Sequence, residues 1–320
     1  MLSRVADSIY WMSRYVERAE NVARFLDVTY NMALDMPPDS REQWGALVSA
    51  SGDDNDFKQR YGEPTRDNVA RFLLFDFKNP NSILSCVAMA RENARGIREV
   101  ISSEMWEQLN SFYIATRDSE VDGFPKSPSE FFQFVKNSCH LFLGITIATF
   151  SQGEAWHFAR LGRILERADK TSRILDVKYF TLLPNVQSVG MSIDDLQWSA
   201  ILRSVSGFEM YRKRYRGVTP KRVVEYLVLD QQFPRAIMHC VQVADKSLHA
   251  ISGSPENAYS NTAEKRIGQL RGELAYTDVD EIIGIGLHEF LDSIQTKLND
   301  VGSGIRDSFI AMETNANVAV

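Results

Sequence analysis

The segment RYVERAENVARFLDVTY at residues 14–30 occurs a second time as RILERADKTSRILDVKY at residues 163–179. At a constant offset of 149 residues, nine of the 17 positions are identical. A second match, at an offset of 154, runs without a gap from residue 43 to residue 90. Self-similarity at a fixed spacing indicates an internal duplication. The sequence therefore predicts two repeat units, residues 1–150 and 151–320, in one compact pseudo-symmetric fold.

Each repeated segment lies within a long predicted helix. In the first copy, apolar residues recur at spacings of three and four, which places them on one helical face; they are Tyr15, Ala19, Val22, Leu26, Tyr30 and Ala33. Pro37 and Pro38 are predicted to end this helix. The second long helix is predicted to begin near Ser151, which would be its N-cap with Glu154 completing a capping box, and to end before Pro184. Since the apolar stripe recurs in both copies, we expect the two long helices to pack against each other.

Shorter helices are predicted at residues 41–50, 66–75, 82–101, 103–116 and 129–150. Clusters of turn-forming residues predict loops at residues 51–56, 122–128, 217–220 and 252–255. Alternating apolar and polar runs of strand length are nearly absent. The predicted fold class is therefore all-α: an internally duplicated helical bundle whose two similar halves pack around two long helices.

Composition describes an ordinary globular protein, with 44% hydrophobic and 24% charged residues and a net charge of −6. The acidic balance argues against a large phosphate-binding surface. Three widely separated cysteines form no disulfide framework and no Cys-x-x-Cys pair, which fits a reducing compartment. We expect a cytoplasmic location without membrane contact, because no signal peptide precedes the first helix and the longest apolar run, residues 141–150, is too short to cross a bilayer.

The charges that persist in both copies form the candidate ligand or partner face. They are Arg14, Glu17, Arg18, Arg24 and Asp27 in the first copy and Arg163, Glu166, Arg167, Arg173 and Asp176 in the second. Their three- and four-residue spacing is that of ion-pair ladders along one helix. Three interpretations stay open at this point: a partly buried Glu-Arg network between helices, arginines that bind a carboxylate or phosphate ligand while the glutamate orients them, or a solvated helix face.

Two further groups of charges occur in one copy only. The secondary candidates Arg91, Glu92, Asn93 and Arg95 lie on a predicted helix, where a solvated face is favoured over a ligand site. Basic residues alternate with tyrosines from Tyr211 to Arg216, a pattern typical of nucleic-acid binding. Only its Arg-Tyr pair recurs in the first copy, so packing is the favoured explanation and nucleic acid is not expected as a partner.

Known catalytic templates do not match the sequence. It contains no phosphate-binding glycine loop, no His-Glu-x-x-His and no Gly-x-Ser-x-Gly motif. The five histidines do not stand at ligand spacing in a repeated pattern. We therefore predict no cofactor and no metal site.

The segment YWMSRYVERAEN at residues 10–21 resembles the opening signature of the bacterial alpha-E domain family, named for an α-helical domain with a Glu-Arg motif. The resemblance extends over most of the chain, through FLLFD at 72–76, NPNSILSC at 79–86, ARENAR at 90–95, SEMW at 103–106, LERAD at 165–169 and FPR at 233–235. It implies an association with a circularly permuted ATP-grasp ligase and a transglutaminase-like protein, to which family members are adjacent or fused. It implies a role in making or modifying peptides, without a defined activity.

Three functions follow as hypotheses. The leading one is a non-catalytic helical component that docks onto a peptide ligase or holds its substrate through the duplicated Glu-Arg faces. The alternative is an enzyme that acts on peptides, with Glu17 or Glu166 as general base and arginines as clamps for a carboxylate. The third is a nucleic-acid binder that uses Arg212 to Arg216.

Overall fold

The computed structural model describes residues 1–35, 43–120, 125–182 and 192–311, and every regular element in these ranges is a helix. The prediction of an all-α fold is confirmed. The helices are α1 (Ser3–Asp35), α2 (Gln43–Ser51), α3 (Asp54–Tyr61), α4 (Arg66–Leu74), α5 (Ile83–Arg95), α6 (Ser103–Asp118), α7 (Pro128–Thr149), α8 (Glu154–Leu182), α9 (Ser192–Ser204), α10 (Phe208–Arg214), α11 (Pro220–Val228), α12 (Ile237–Ser252), α13 (Thr262–Tyr276), α14 (Val279–Ile285) and α15 (Leu287–Ile305), followed by a short π-helix (Arg306–Ile310). None of them is both long enough and apolar enough to span a membrane. Pro37, Pro38 and Pro184, which were predicted to end the long helices, lie outside the described residues.

The two long helices pack against each other at the centre of the bundle, as predicted. Helices α5 and α7 pack on α1, while α12 and α15 pack on α8. The repeated apolar positions Ala19, Leu26, Ala168 and Leu175 are all buried. Because α1 is surrounded on most sides, its polar side is covered as well as its apolar stripe.

Gly162 lets α1 and α8 approach each other closely. A Cβ atom at this position would overlap the backbone carbonyl oxygen of Tyr10 and lie 3.0 Å from its carbonyl carbon. Backbone atoms on a helix cannot move aside as the end of a flexible side chain can. The spacing between the two central helices therefore depends on the absence of a side chain at residue 162.

Some contacts occur at corresponding positions of the two predicted units. Arg60 forms an ion pair with Asp76, and Arg214 forms one with Asp230. In each case the arginine lies at the end of one short helix, and the aspartate lies in the turn that follows the next helix. The shared ion pair explains why these charges recur in the sequence, and the duplication itself stays a prediction from the sequence.

Helix α3 was not predicted, because its sequence is mostly polar and begins inside the expected loop at 51–56. Its two aromatic residues are four apart, and both pack on a third: the Phe57 and Tyr61 rings lie 5.2 and 5.6 Å from the Phe72 ring. Two acidic residues, Asp54 and Asp56, occupy its first turn, where they favour helix formation. Tertiary packing thus fixes a helix that local apolar periodicity does not indicate.

Two predicted boundaries were wrong. Helix α5 ends at Arg95 rather than near residue 101, because Gly96 is a poor helix former and the chain continues in turns until Ser102 caps α6. Helix α8 begins at Glu154 rather than at Ser151, since a turn that closes from the Gly153 amide to the Ser151 carbonyl precedes it.

We expect Gly162→Ala to destabilise the fold by several kcal/mol, since it overpacks a contact between two helix backbones. Gly272→Ala in α13 is the matched control: a Cβ atom added there would meet no other atom within 4 Å, so added helix propensity should make it neutral or stabilising by about 0.5–1 kcal/mol. Urea unfolding of both variants measures the difference. Equal stabilities would contradict the close-approach argument.

Candidate functional site

The Glu17 carboxylate lies in the interior, with only 2% of its surface exposed. Arg167 from α8 donates two hydrogen bonds to it, from Nε and Nη2, each 2.8 Å long. Arg235, in the turn before α12, donates a third from Nη1 at 2.9 Å. The Asn21 amide donates a fourth at 3.2 Å. Glu17 is therefore saturated with donors, most of them charged.

The Glu166 carboxylate has a corresponding environment and is 0% exposed. Arg18 from α1 donates to it from Nε at 2.6 Å and from Nη2 at 3.0 Å. Arg14, also from α1, donates from Nε at 2.8 Å. The Lys170 ammonium lies 3.8 Å away. Each glutamate of the repeated motif is thus neutralised by cations that include the motif arginine of the other long helix.

Pairing between the two long helices replaces the ion-pair ladders that the sequence predicted along each single helix. Arg14 and Arg24 do not pair with Glu17; Arg24 instead donates to Glu20 at 2.6 Å, and Arg173 pairs with Asp169 at 3.0 Å. The sequence analysis did not include the acids Glu20 and Asp169 among the candidate residues. They occupy equivalent positions at the offset of 149, so a conservative Glu/Asp match was the signal that could have identified them.

Electrostatics favours the ionised form of the buried acids. Burial alone raises the pKa of Glu17, but Arg167 and Arg235 outweigh it and hold the pKa below its ordinary value. Burial likewise acts against ionised Glu166, whose pKa is nevertheless lowered far below normal by Arg18 and Arg14. A carboxylate with a lowered pKa is a weak base, so these side chains suit a permanent ion-pair network.

The two clusters obtain their additional cation from different elements. In the first cluster it is Arg235, which reaches both Glu17 and Glu20, while the position one helical turn after Glu17 carries the neutral Asn21. In the second cluster that helical position is Lys170, and the counterpart of Arg235 is Asn81, which accepts a hydrogen bond from Arg18 at 2.8 Å. Cation and asparagine have exchanged places while both acids keep their compensation.

Arg24 and Arg173 each reach a loop of the other predicted unit. Arg24 donates to the hydroxyl of Ser206, and the Arg173 guanidinium lies close to Gly52, the counterpart of Ser206 at the offset of 154. Both loop residues have positive φ, 51° and 84°. For serine this conformation costs roughly 1–2 kcal/mol, which its hydrogen bond to arginine helps to offset.

The two aspartates of the candidate face link the long helices to outer helices. Asp27 pairs with Lys136 of α7 at 2.7 Å, and Asp176 pairs with His288 of α15 at 2.8 Å. Both are partly buried. They lie beyond the central clusters and serve the same attachment role in the two halves.

The secondary candidates form a local network on α5. Arg91 donates to Asn110 and Glu92, Arg95 pairs with Glu92, and Asn93 donates to a carbonyl of its own helix. The Arg91 guanidinium also stacks on Trp106 of α6, 5.4 Å from its centroid. These contacts attach α6 to α5 and form a partly exposed helix surface.

The basic segment from Tyr211 to Arg216 offers few stacking groups for bases. Tyr211 is fully buried and donates to the carbonyl of Gly217. Arg214 is paired with Asp230, and Arg212 stacks on Phe208. The recurring pair is Arg214 and Tyr215, and the Tyr215 ring packs on Tyr211 with the ring centroids 4.8 Å apart.

Arg163 is the candidate arginine whose surroundings differ most from those of its counterpart. Arg14 bonds both Glu166 and the Tyr10 hydroxyl, whereas the described residues give Arg163 no hydrogen bond or ion pair. It lines a narrow pocket together with Arg160 and Trp156, two residues that sequence reasoning did not single out. In the described ranges, no group of three His, Cys, Asp or Glu side chains is arranged to hold a metal ion.

Comparisons with known proteins agree with the Glu-Arg geometry. Residues 1–310 match a family described as a predicted alpha-helical domain with a conserved ER motif. The chain is 22% identical to uncharacterized proteins of Mycobacterium bovis and of two strains of Mycobacterium tuberculosis, over 97% of its own length and 37% of theirs. It therefore spans little more than a third of the length of these curated relatives. No solved structure gives a significant match.

We expect Glu17→Gln and Glu166→Gln each to cost about 3–5 kcal/mol at pH 7, because each leaves buried arginines without a counter-charge. The melting temperature should fall by roughly 10 °C. The folded pKa values are lowered, so the stabilisation is complete above the unfolded-state pKa of about 4.3 and is lost as pH falls below it. The gap between parent and variants should narrow accordingly in acid.

Glu92→Gln is the matched control, since this glutamate pairs with two arginines but is 41% exposed. Its cost should stay within about 1 kcal/mol. A melting shift within a degree for Glu17→Gln at pH 7 would contradict the buried-network interpretation.

We also expect Asn21→Lys to rescue part of the stability lost in Arg235→Asn, because the pair converts the first cluster into the arrangement of the second. The double variant should be more stable than the sum of the single effects by about 1–3 kcal/mol. A double-mutant cycle in urea measures this coupling. Additive losses would show that the two positions do not substitute for each other.

Proposed function

Because the match extends over residues 1–310, the chain belongs to the alpha-E family, and we propose that it is a non-catalytic helical component of a bacterial peptide synthesis or modification system. In this role it docks onto an ATP-grasp ligase or holds that ligase's peptide substrate. A transglutaminase-like protein is a further partner. An ATP-dependent ligase needs nucleotide, so the system belongs in the cytoplasm.

The observation that carries this proposal is the mutual neutralisation of the two Glu-Arg motifs. A general base must reach the proton that it removes and must have a suitable pKa. Glu17 and Glu166 are buried, already accept several charged hydrogen bonds, and have lowered pKa values. This argues against the alternative in which they act on peptides, and favours a rigid scaffold.

The relatives support a role beside another protein segment. They match this chain over 37% of their length, so most of each relative consists of further sequence on the same polypeptide. A helical unit that occurs within larger chains suits a component that works next to a second domain. The ligase would then supply the nucleotide chemistry, while the helical unit supplies a surface.

We expect the chain to co-purify with an ATP-grasp ligase of the kind that the family resemblance implies and to raise the rate of peptide ligation by that ligase. Size-exclusion chromatography at micromolar concentrations measures the complex, and release of ADP with defined peptides measures ligation. The matched control is the ligase alone.

The opposite results are equally specific. Absence of a complex together with an unchanged ligation rate would contradict the proposal. Turnover of peptides by the isolated chain would support the enzyme alternative instead.

A further inference from the structure

A narrow pocket opens between α1, α7 and α8, beside the first Glu-Arg cluster. Its volume is about 30 Å³. Arg160, Arg163 and Trp156 line it from α8, and apolar residues such as Phe142 and Leu143 line it from α7. The pocket therefore combines two cations with apolar side chains and with the ion-paired Glu17 and Glu20 of α1.

Arg163 is a half-buried cation that forms no hydrogen bond or ion pair with the described residues. Partial burial and the neighbouring Arg167 lower its pKa to about 10. Its counterpart Arg14 has two partners, Glu166 and the Tyr10 hydroxyl. In the second copy Ala159 stands in the place of Tyr10, and Glu17 is already occupied by Arg167 and Arg235. A charge that is partly removed from water is stabilised when an anion pairs with it.

Arg160 adds a second guanidinium to the same pocket. It stacks on Trp156, 5.2 Å from the ring centroid, and the described residues provide no hydrogen bond or ion pair for it. Burial lowers its pKa as well. Its counterpart in the first copy is Trp11, so two neighbouring arginines occur here in the second copy and not in the first. Two adjacent guanidinium groups are suited to bind the two oxygens of one anion.

The size and charge of the pocket select among anions. One water position needs about 10–15 Å³, so this pocket has room for two oxygen-sized atoms. Glu17 and Glu20 also line it, and although both are ion-paired, their proximity disfavours a dianion more than a monoanion. A carboxylate fits these limits better than a phosphate group.

An apolar surface continues from the pocket along α7. Ile147 lines the pocket and is 57% exposed, and Leu141, six residues earlier and about 120° around the helix, is 53% exposed. Between them, Gly144 leaves the helix surface open, since a Cβ there would meet nothing within 4 Å. An anion that enters the pocket would therefore bring any attached apolar chain against α7.

We propose that this pocket binds the C-terminal carboxylate of a peptide, between Arg160 and Arg163, while the preceding apolar residues pack on α7 around Gly144. The inference rests on the proposed function, because it identifies the peptide terminus that a substrate-holding component would grip. The ion-paired network of Glu17 fixes α8 in place, and Arg160 and Arg163 provide the recognition.

The test is calorimetric titration of the full chain with the peptide acetyl-Ala-Ala-Leu-Leu, as the free acid and as the C-terminal amide. We expect the free acid to bind at least about ten-fold more tightly than the amide, since charge-assisted hydrogen bonds are lost in the amide. Arg163→Gln and Arg160→Gln should each weaken binding of the free acid by a similar factor. Arg98→Gln is the matched control, because this exposed arginine stacks on Trp106 at 4.9 Å and lies outside the pocket; it should bind like the parent.

Thermal unfolding separates recognition from folding. Arg163→Gln removes a half-buried charge that forms no hydrogen bond or ion pair with the described residues, so its melting temperature should not fall. Added free-acid peptide should raise the melting temperature of the parent but not of this variant. Equal binding of acid and amide, full binding by Arg163→Gln, or inorganic phosphate binding as tightly as the peptide would each overturn the proposal.

The outcome is independent of the ligase complex. Absence of peptide binding by a chain that still forms the complex removes the carboxylate site and leaves docking intact. Peptide binding without a complex does the reverse.

Discussion

The fold depends on an exchange of charges between its two central helices. Arg18 of α1 neutralises Glu166 of α8, and Arg167 of α8 neutralises Glu17 of α1. Neither helix can be buried alone, because each would take an uncompensated carboxylate and guanidinium out of water. The charges satisfy each other only when the helices lie side by side in one register. The close approach at Gly162 fixes that register sterically, and the Glu-Arg pairs fix it electrostatically.

This arrangement explains why charged residues persist where an apolar pair would also pack. Replacing a buried ion pair with apolar residues is often neutral for stability, whereas breaking one partner is costly. Single substitutions in either motif are therefore strongly disfavoured, even though the net contribution of a buried ion-pair network to stability is often small. The two clusters differ in a way that keeps every buried acid paired with a cation. Arg235 of the first cluster corresponds to Asn81 of the second, and Asn21 of the first corresponds to Lys170 of the second. This difference moves the extra cation to another element and leaves both acids compensated.

The sequence predicted the fold class, the two long helices and the residues of the Glu-Arg motifs, because apolar periodicity and self-similarity can be read directly from the order of the amino acids. It could not predict which arginine pairs with which glutamate. The spacing of Arg14, Glu17 and Arg24 suits pairing along one helix, but burial against α8 makes the facing arginines better partners. Helix α3 was missed because Phe72, eleven residues or more away, stabilises it. Arg160 and Trp156 were missed because neither recurs between the copies, and only their position beside Arg163 makes them notable.

A pair of similar clusters allows one position to have different roles in its two copies. Where Arg14 is held by Glu166 and by the Tyr10 hydroxyl, its side chain has a structural task. In the other copy, Arg235 supplies the charge that Glu17 needs, and Ala159 removes the hydroxyl. Arg163 is then released from the network while the network remains complete. A position that is structural in one cluster can thus bind a ligand in the other. This is possible because Arg235, in the turn before α12, supplies the positive charge that Glu17 would otherwise lack. The difference between the two clusters, rather than their similarity, is therefore the feature that points to a ligand.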